Sequence, residues 1–191
     1  MDIDLIQKTT GLSKYIELAT AEKKVEIDHL VKAFYNEIRL EEDPFSAASQ
    51  YIDGLLSAAM QKIPGFNISC TKGCWYCCQL NVLITEVEAK KIVAYLNENK
   101  TIKLIDRNDS RCPFLNDENA CNIYPVRPLI CRKTLVSSNP LFCNTRNGEN
   151  HDVQLKTDVR VEALVTAFWQ FSHTKDIREF FFRYPLVTRK I

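Results

Sequence analysis

Glycine is scarce in this chain, with five in 191 residues, and none falls in a G-x-G-x-x-G or P-loop pattern. No recognisable phosphate-cradling loop for a nucleotide is therefore present. Charge of one sign is missing too. Lys and Arg number 25 against 24 Asp and Glu, a formal net charge of +1, which recommends neither nucleic acid nor an anionic membrane as a partner. No uncharged apolar run approaches the ~20 residues that a membrane span needs, since even Ala163 to Trp169 stops after about two turns. The opening residues, Met1-Asp2-Ile3-Asp4, are acidic and lack the basic flank and apolar core of a secretory signal. These absences together predict a soluble cytoplasmic protein. Histidine is scarce as well: His29, His151 and His173 read as surface or capping residues, which makes a mixed Cys/His metal site the poorer model.

What the chain has in quantity is cysteine. All eight, Cys70, Cys74, Cys77, Cys78, Cys112, Cys121, Cys131 and Cys143, fall in one segment, and the residues on either side carry none. A reducing compartment disfavours disulfides, so a cluster this dense points to metal ligation. The first group is Cys70-x3-Cys74-x2-Cys77-Cys78, with Gly73 allowing the backbone to turn. A Cys-x2-Cys pair suits zinc or an iron–sulfur cluster. Cys77 and Cys78 are harder to place, because adjacent side chains diverge on a helix and on a strand. They serve two centres, or one of them is a spare thiol. Cys143 is the most remote of the set.

Four thiolates around zinc(II) or a [4Fe–4S] core leave a net charge near −2, which asks for cations nearby. Lys72, Arg111, Arg127, Arg132 and Lys133 flank the cysteines, and Arg127 and Arg132, beside Pro128 and Cys131, are the preferred candidates to face a bound cofactor. Generic spacing favours zinc. Trp75, Tyr76, Phe114 and Tyr124, together with Pro113 directly after Cys112, favour an iron–sulfur cluster by excluding water, and that choice is slightly preferred.

The flanking chain reads as helix. Ile27, Leu30, Val31, Phe34 and Ile38 share one helical face; Asp43-Pro44 caps a second helix with Phe45, Ala48, Ile52, Leu55, Leu56 and Ala59 inside, stopped by Pro64-Gly65. Asn81 to Ile84 predicts a short strand, and Thr85 and Glu88 form the capping box of a helix with Val87, Ile92, Val93 and Leu96 on its apolar face. Asn116 to Asn119 predicts a turn between arms carrying Cys112 and Cys121. The tail predicts a helix from Thr157 to about Phe171 and a shorter one from Asp176 to Tyr184. The expected architecture is mainly α: a helical segment 1–65, an irregular cysteine-rich metal-binding region 66–145 containing a short hairpin, and a helical tail 146–191, packed as one domain.

The run from Phe66 to Cys78, the helix at Thr85, then Cys112-Pro113-Phe114-Leu115, Cys121-x-Ile123-Tyr124 and Arg127-Pro128-x-x-Cys131-Arg132 resemble the CxxCxxCC cysteine-cluster family, YkgJ-like proteins described as zinc- or iron-chelating domains. One departure is the three-residue gap between Cys70 and Cys74. The resemblance implies metal chelation. Flagellin lysine N-methylases look like relatives, so a methyltransferase-like enzyme is one alternative, and a structural zinc module that presents a surface to a protein partner is another. The first group is also similar to the cluster-binding loop of radical S-adenosylmethionine enzymes, but the chain after it lacks the alternating strands and helices of their barrel. No carboxylate pair and no histidine near a nucleophile supply an acid–base site.

Overall fold

The computed structural model describes residues 21–62, 68–71, 73–105, 111–143, 155–156 and 158–183. Helix α1 (Ala21–Ile38) buries Val31, Phe34 and Ile38, with Ile27 and Leu30 packed against the core edge. Helix α2 (Pro44–Lys62) starts at the expected cap. The Asp43 carboxylate accepts from the Ser46 amide at 3.1 Å and from its hydroxyl at 2.8 Å, satisfying donors that the first helical turn leaves open. Phe45, Ala48, Ile52, Leu55 and Leu56 are buried as the periodicity requires; the side chain of Ala59 and the Pro64-Gly65 stop lie outside the described residues.

Three further α-helices follow among the described residues. Helix α3 (Glu86–Glu98) opens on the capping box: the Glu88 amide donates to Thr85 Oγ1 at 3.2 Å, and the Thr85 amide donates to the Glu88 carboxylate at 2.7 Å. After a five-residue helix α4 (Leu129–Lys133), helix α5 (Val159–Phe168) buries Val161, Ala163, Leu164, Val165, Ala167 and Phe168. Apolar on almost every side, α5 sits at the centre and touches α1, α2 and α4. Phe168 packs edge-on against Phe45 at 6.5 Å and beside Phe171 at 5.1 Å. The cap of α5 is Asp158, which accepts from the Arg160 amide at 2.8 Å, whereas the predicted start at Thr157 lies outside the described residues. Its end tightens to a 3-10 turn over Trp169–Phe171.

The strands are short. β1 (Leu83–Ile84) pairs antiparallel with β4 (Lys175–Asp176), and β2 (Leu135–Val136) pairs with β3 (Leu155–Lys156). Each two-stranded ladder ties the cysteine-bearing segment to the C-terminal part of the chain. Asp176, expected to begin the last helix, is thus a strand residue, held there because its carboxylate accepts from the Val82 amide at 3.0 Å. The helical turns begin at Ile177 and pass into a π turn, Glu179–Arg183; Tyr184 and Pro185 lie outside the described residues. The fold is mainly α with a cysteine-rich region, as the sequence indicates, and no helix among the described residues is long and apolar enough to cross a membrane.

Candidate metal centre

Cys70 leads into two consecutive tight turns that carry Cys74, Cys77 and Cys78. Gly73 has φ +90°, a conformation that side chains resist, and the Cys74 amide closes the turn onto the Thr71 carbonyl at 3.0 Å. A 3-10 turn over Tyr76–Gln79 then carries Cys77 and Cys78. The expected divergence of these neighbours does not isolate them. Both line one cavity, and their thiols are hydrogen-bonded to each other, because a single 3-10 turn at the cavity edge leaves both sulfurs on its inner side.

The later cysteines arrive from three directions. The Cys112 amide donates to the Cys78 carbonyl at 2.8 Å. The expected hairpin follows: Leu115 and Cys121 form a β-bridge, the Asn116 amide donates to the Ala120 carbonyl at 2.9 Å, and Asn119 takes the left-handed position of the turn with φ 59°. Cys131 is carried on α4. The amide of Val136 in β2 donates to Cys70 Sγ at 3.3 Å. A 3-10 turn over Pro140–Cys143 packs on the Tyr76–Gln79 turn and carries Cys143 to its neighbours.

Cys70, Cys74, Cys77, Cys78, Cys112, Cys121 and Cys131 line a single cavity of about 290 Å³. Val82, Ile123, Ile130, Leu135 and Ile177 contribute aliphatic side chains to the rest of its wall. Arg127 is the one charged side chain of the lining among the described residues. Its guanidinium lies 3.9 Å from the centre of the Tyr124 ring, and its buried Nε has no hydrogen-bond partner. Neither His29 nor His173 takes part.

The other expected neighbours stand elsewhere. Arg132, predicted beside the cofactor, is turned into the scaffold. It pairs with Asp53 at 2.6 Å and donates to the carbonyls of Pro125 at 2.6 Å and Arg127 at 3.2 Å. A buried guanidinium with five donors takes the nearest acceptors, and here these are scaffold groups. Arg111 lies over Trp75, Lys133 pairs with Glu162, and Lys72 is outside the described residues. Of the four aromatics only Tyr124 lines the cavity; Trp75 stacks on Tyr76, and Phe114 is core, edge-on to Phe181 at 5.0 Å.

Burial dominates the protonation of the thiols. It pushes Cys70, Cys74 and Cys121 up, Cys143 to about 11, Cys112 to about 12, and Cys131 well above the ordinary thiol range. Cys77 goes the other way, lowered by the hydrogen bond from Cys78, whose own proton is held more tightly for the same reason. Arg127 opposes burial at Cys70 and Cys121, and adds to the lowering at Cys77. The thiols raised by burial ionise only when something favours thiolate strongly, and a soft metal does so, releasing protons as it binds.

Two positioning residues carry little sequence signal. Arg178 donates to the carbonyls of Cys78 at 3.1 Å and Leu80 at 3.2 Å, which pins the Cys77-Cys78 turn from the far end of the chain. Glu88, beyond its capping role, accepts from the Leu129 amide at 2.9 Å at the start of α4, fixing the helix that carries Cys131. Burial raises the Glu88 carboxyl against the pull of its Thr85 and Leu129 donors. The capping box is legible in sequence; the bond to Leu129, across 41 residues, is not.

A thiol-rich, largely apolar cavity with one inward cation has the character of a metal-binding region. Residues 69–156 match the model of the CxxCxxCC family, described as "Putative zinc- or iron-chelating domain". No curated protein and no solved structure matches the chain.

Proposed function

We propose that this protein binds iron–sulfur chemistry at the cysteine cavity, with thiolates of the eight cysteines as ligands and Arg127 as the compensating cation. The observation that carries the reading is the spread of the donors. Seven of the eight cysteines stand around one cavity of about 290 Å³. A zinc ion draws four sulfurs to about 2.3 Å from one centre, whereas a cluster holds its cysteines apart around a polynuclear core. The donor set fits such a group: soft thiols, a largely apolar wall, and a guanidinium whose buried Nε is unpartnered. The bound group would supply one-electron chemistry or serve as cargo, while the chain's own residues hold it, neutralise part of its charge and keep solvent away.

Anaerobic purification followed by iron, zinc and acid-labile sulfide analysis and visible absorption tests this. Iron with matching sulfide and a broad visible band is expected. Stoichiometric zinc without sulfide would replace the cluster with a zinc centre.

A further inference from the structure

We propose that Tyr124 is a positioning residue for the metal centre: its ring holds the Arg127 guanidinium at the cavity, so that the N–H groups of Arg127 bond the anionic centre and favour its reduced state. The proposal rests on the iron–sulfur reading above and goes beyond it by giving Arg127 a directed bond and Tyr124 a role.

Arg127 differs from other arginines of the fold. Arg132 spends its donors on Asp53 and on the carbonyls of Pro125 and Arg127, Arg160 on Asp158, and Arg178 on Asp176 and the carbonyls of Cys78 and Leu80. The Arg127 side chain has no ion pair and no hydrogen bond among the described residues, its Nε is buried without a partner, and no carboxylate belongs to the cavity lining there. What holds it is the Tyr124 ring, 3.9 Å from the guanidinium carbon. The backbone beneath is fixed. Tyr124–Val126 form a 3-10 turn, the Arg127 amide donates to the Tyr124 carbonyl at 3.4 Å, and the Arg127 carbonyl accepts from Arg132 Nε at 3.2 Å. Both side chains line the cavity and Tyr124 is more than half exposed, so the stack stands at the solvent edge of the thiols.

Stacking explains how such a cation is kept ready. A guanidinium on an aromatic ring gives the ring its flat face and keeps its N–H donors, which lie in its own plane. An N–H taken out of water without an acceptor is costly, and the Arg127 Nε stays in that position until something in the cavity accepts from it. A cysteine thiol accepts weakly. A metal-bound thiolate or sulfide, being anionic, accepts strongly. Reduction adds a negative charge to such a centre, so donors and a cation beside it stabilise the reduced form more than the oxidised one and raise the potential. The ring matters because a long cationic side chain at an open edge otherwise turns its head to water.

A double-mutant cycle on the anaerobically purified full chain tests this, with Tyr124→Leu, Arg127→Gln, their combination, and Tyr124→Phe as the variant that keeps the ring. The readouts are metal and sulfide content, midpoint potential and the rate of metal release to a chelator, with circular dichroism to confirm that the helices have formed. Tyr124→Phe should match the unmutated protein. Arg127→Gln should lower the potential and speed release about tenfold. Tyr124→Leu should move both the same way, with release about threefold faster, and should add nothing once Arg127 is gone. If folded Arg127→Gln holds no metal, Tyr124→Leu decides alone, since it keeps the cation. An unchanged potential in iron-loaded Tyr124→Leu overturns the proposal and leaves the iron–sulfur reading intact. An equal effect of Tyr124→Leu with and without Arg127 also overturns it, because the ring then only shields the cavity. Stoichiometric zinc without sulfide, or no metal, in the unmutated protein sinks both.

Discussion

Helix α5 and the cysteine turn at residues 74–80 are held in place by opposite means. The helix is fixed by burial: its apolar residues meet α1, α2 and α4, and its backbone bonds are satisfied within itself. The turn has few internal backbone bonds and is instead clamped from outside, by Arg178 on the carbonyls of Cys78 and Leu80 and by the Cys112 amide on Cys78. A helical scaffold of this kind folds by excluding water from a surface. The cysteine region depends on a handful of directed polar bonds and, on the reading proposed here, on its metal. Damage to the first should lower global stability, and damage to the second should show first at the site.

Phe168→Ala gives the largest expected effect, because it empties a fully buried position at the centre of the scaffold. It should cost about 3–5 kcal/mol in denaturant unfolding, with metal per folded molecule unchanged. A parallel fall in metal content would break the contrast between the two regions.

Arg178→Ala removes donors from two carbonyls and should cost about 2–3 kcal/mol. Its signature is local, namely faster hydrogen exchange through Cys78 to Leu80 with α5 still protected. Arg178→Lys should recover only part, since an ammonium cannot reproduce the guanidinium fork; full recovery would mean that charge alone is enough.

Glu88→Gln sets an amide nitrogen against one of the donors that now point at a carboxylate, the amides of Thr85 and Leu129 and the Thr85 hydroxyl. A loss of about 1–2 kcal/mol is expected. Because Glu88 joins α3 to the helix carrying Cys131, metal should also leave more readily in a chelator competition. Unchanged chelator kinetics would confine Glu88 to the scaffold.

The smallest effect belongs to Asp43→Asn, which keeps a capping side chain but removes the ion pair with Lys91. Burial pulls the Asp43 carboxyl up, but the bonds from Lys91 and Ser46 outweigh it and leave the group below its usual 3.8. A lowered folded-state value means that the ionised form stabilises the fold above pH 3.8 and that this contribution disappears as pH falls through the folded value. Both partners are more than a third exposed, so the gain is under about 1 kcal/mol. Unfolding curves of the two proteins should therefore differ slightly at neutral pH and merge in acid. A gap that persists in acid would assign the effect to the cap instead.

The sequence by itself determined the elements whose signals are local. The apolar stripes of α1 and α2 are periodic within a few turns, Asp43-Pro44 and Thr85-x-x-Glu88 satisfy donors a few residues away, and the turn at Asn116–Asn119 is written in its own side chains. The thiol chemistry was legible for the same reason, since a cluster of eight cysteines declares its ligand type whatever the fold. Only the tertiary structure decided where those groups are directed. It paired β1 with β4 across 94 residues through Asp176, spent Arg132 on Asp53 while leaving Arg127 at the cavity, and brought Arg178 onto the Cys78 carbonyl from 100 residues away. It also packed the turn that ends at Cys143, the most remote cysteine in sequence, on the Tyr76–Gln79 turn that carries Cys77 and Cys78. Residue type and short-range period are properties of a stretch of chain, whereas the partner of a guanidinium or a thiol depends on which acceptors and metals the packed helices bring within reach.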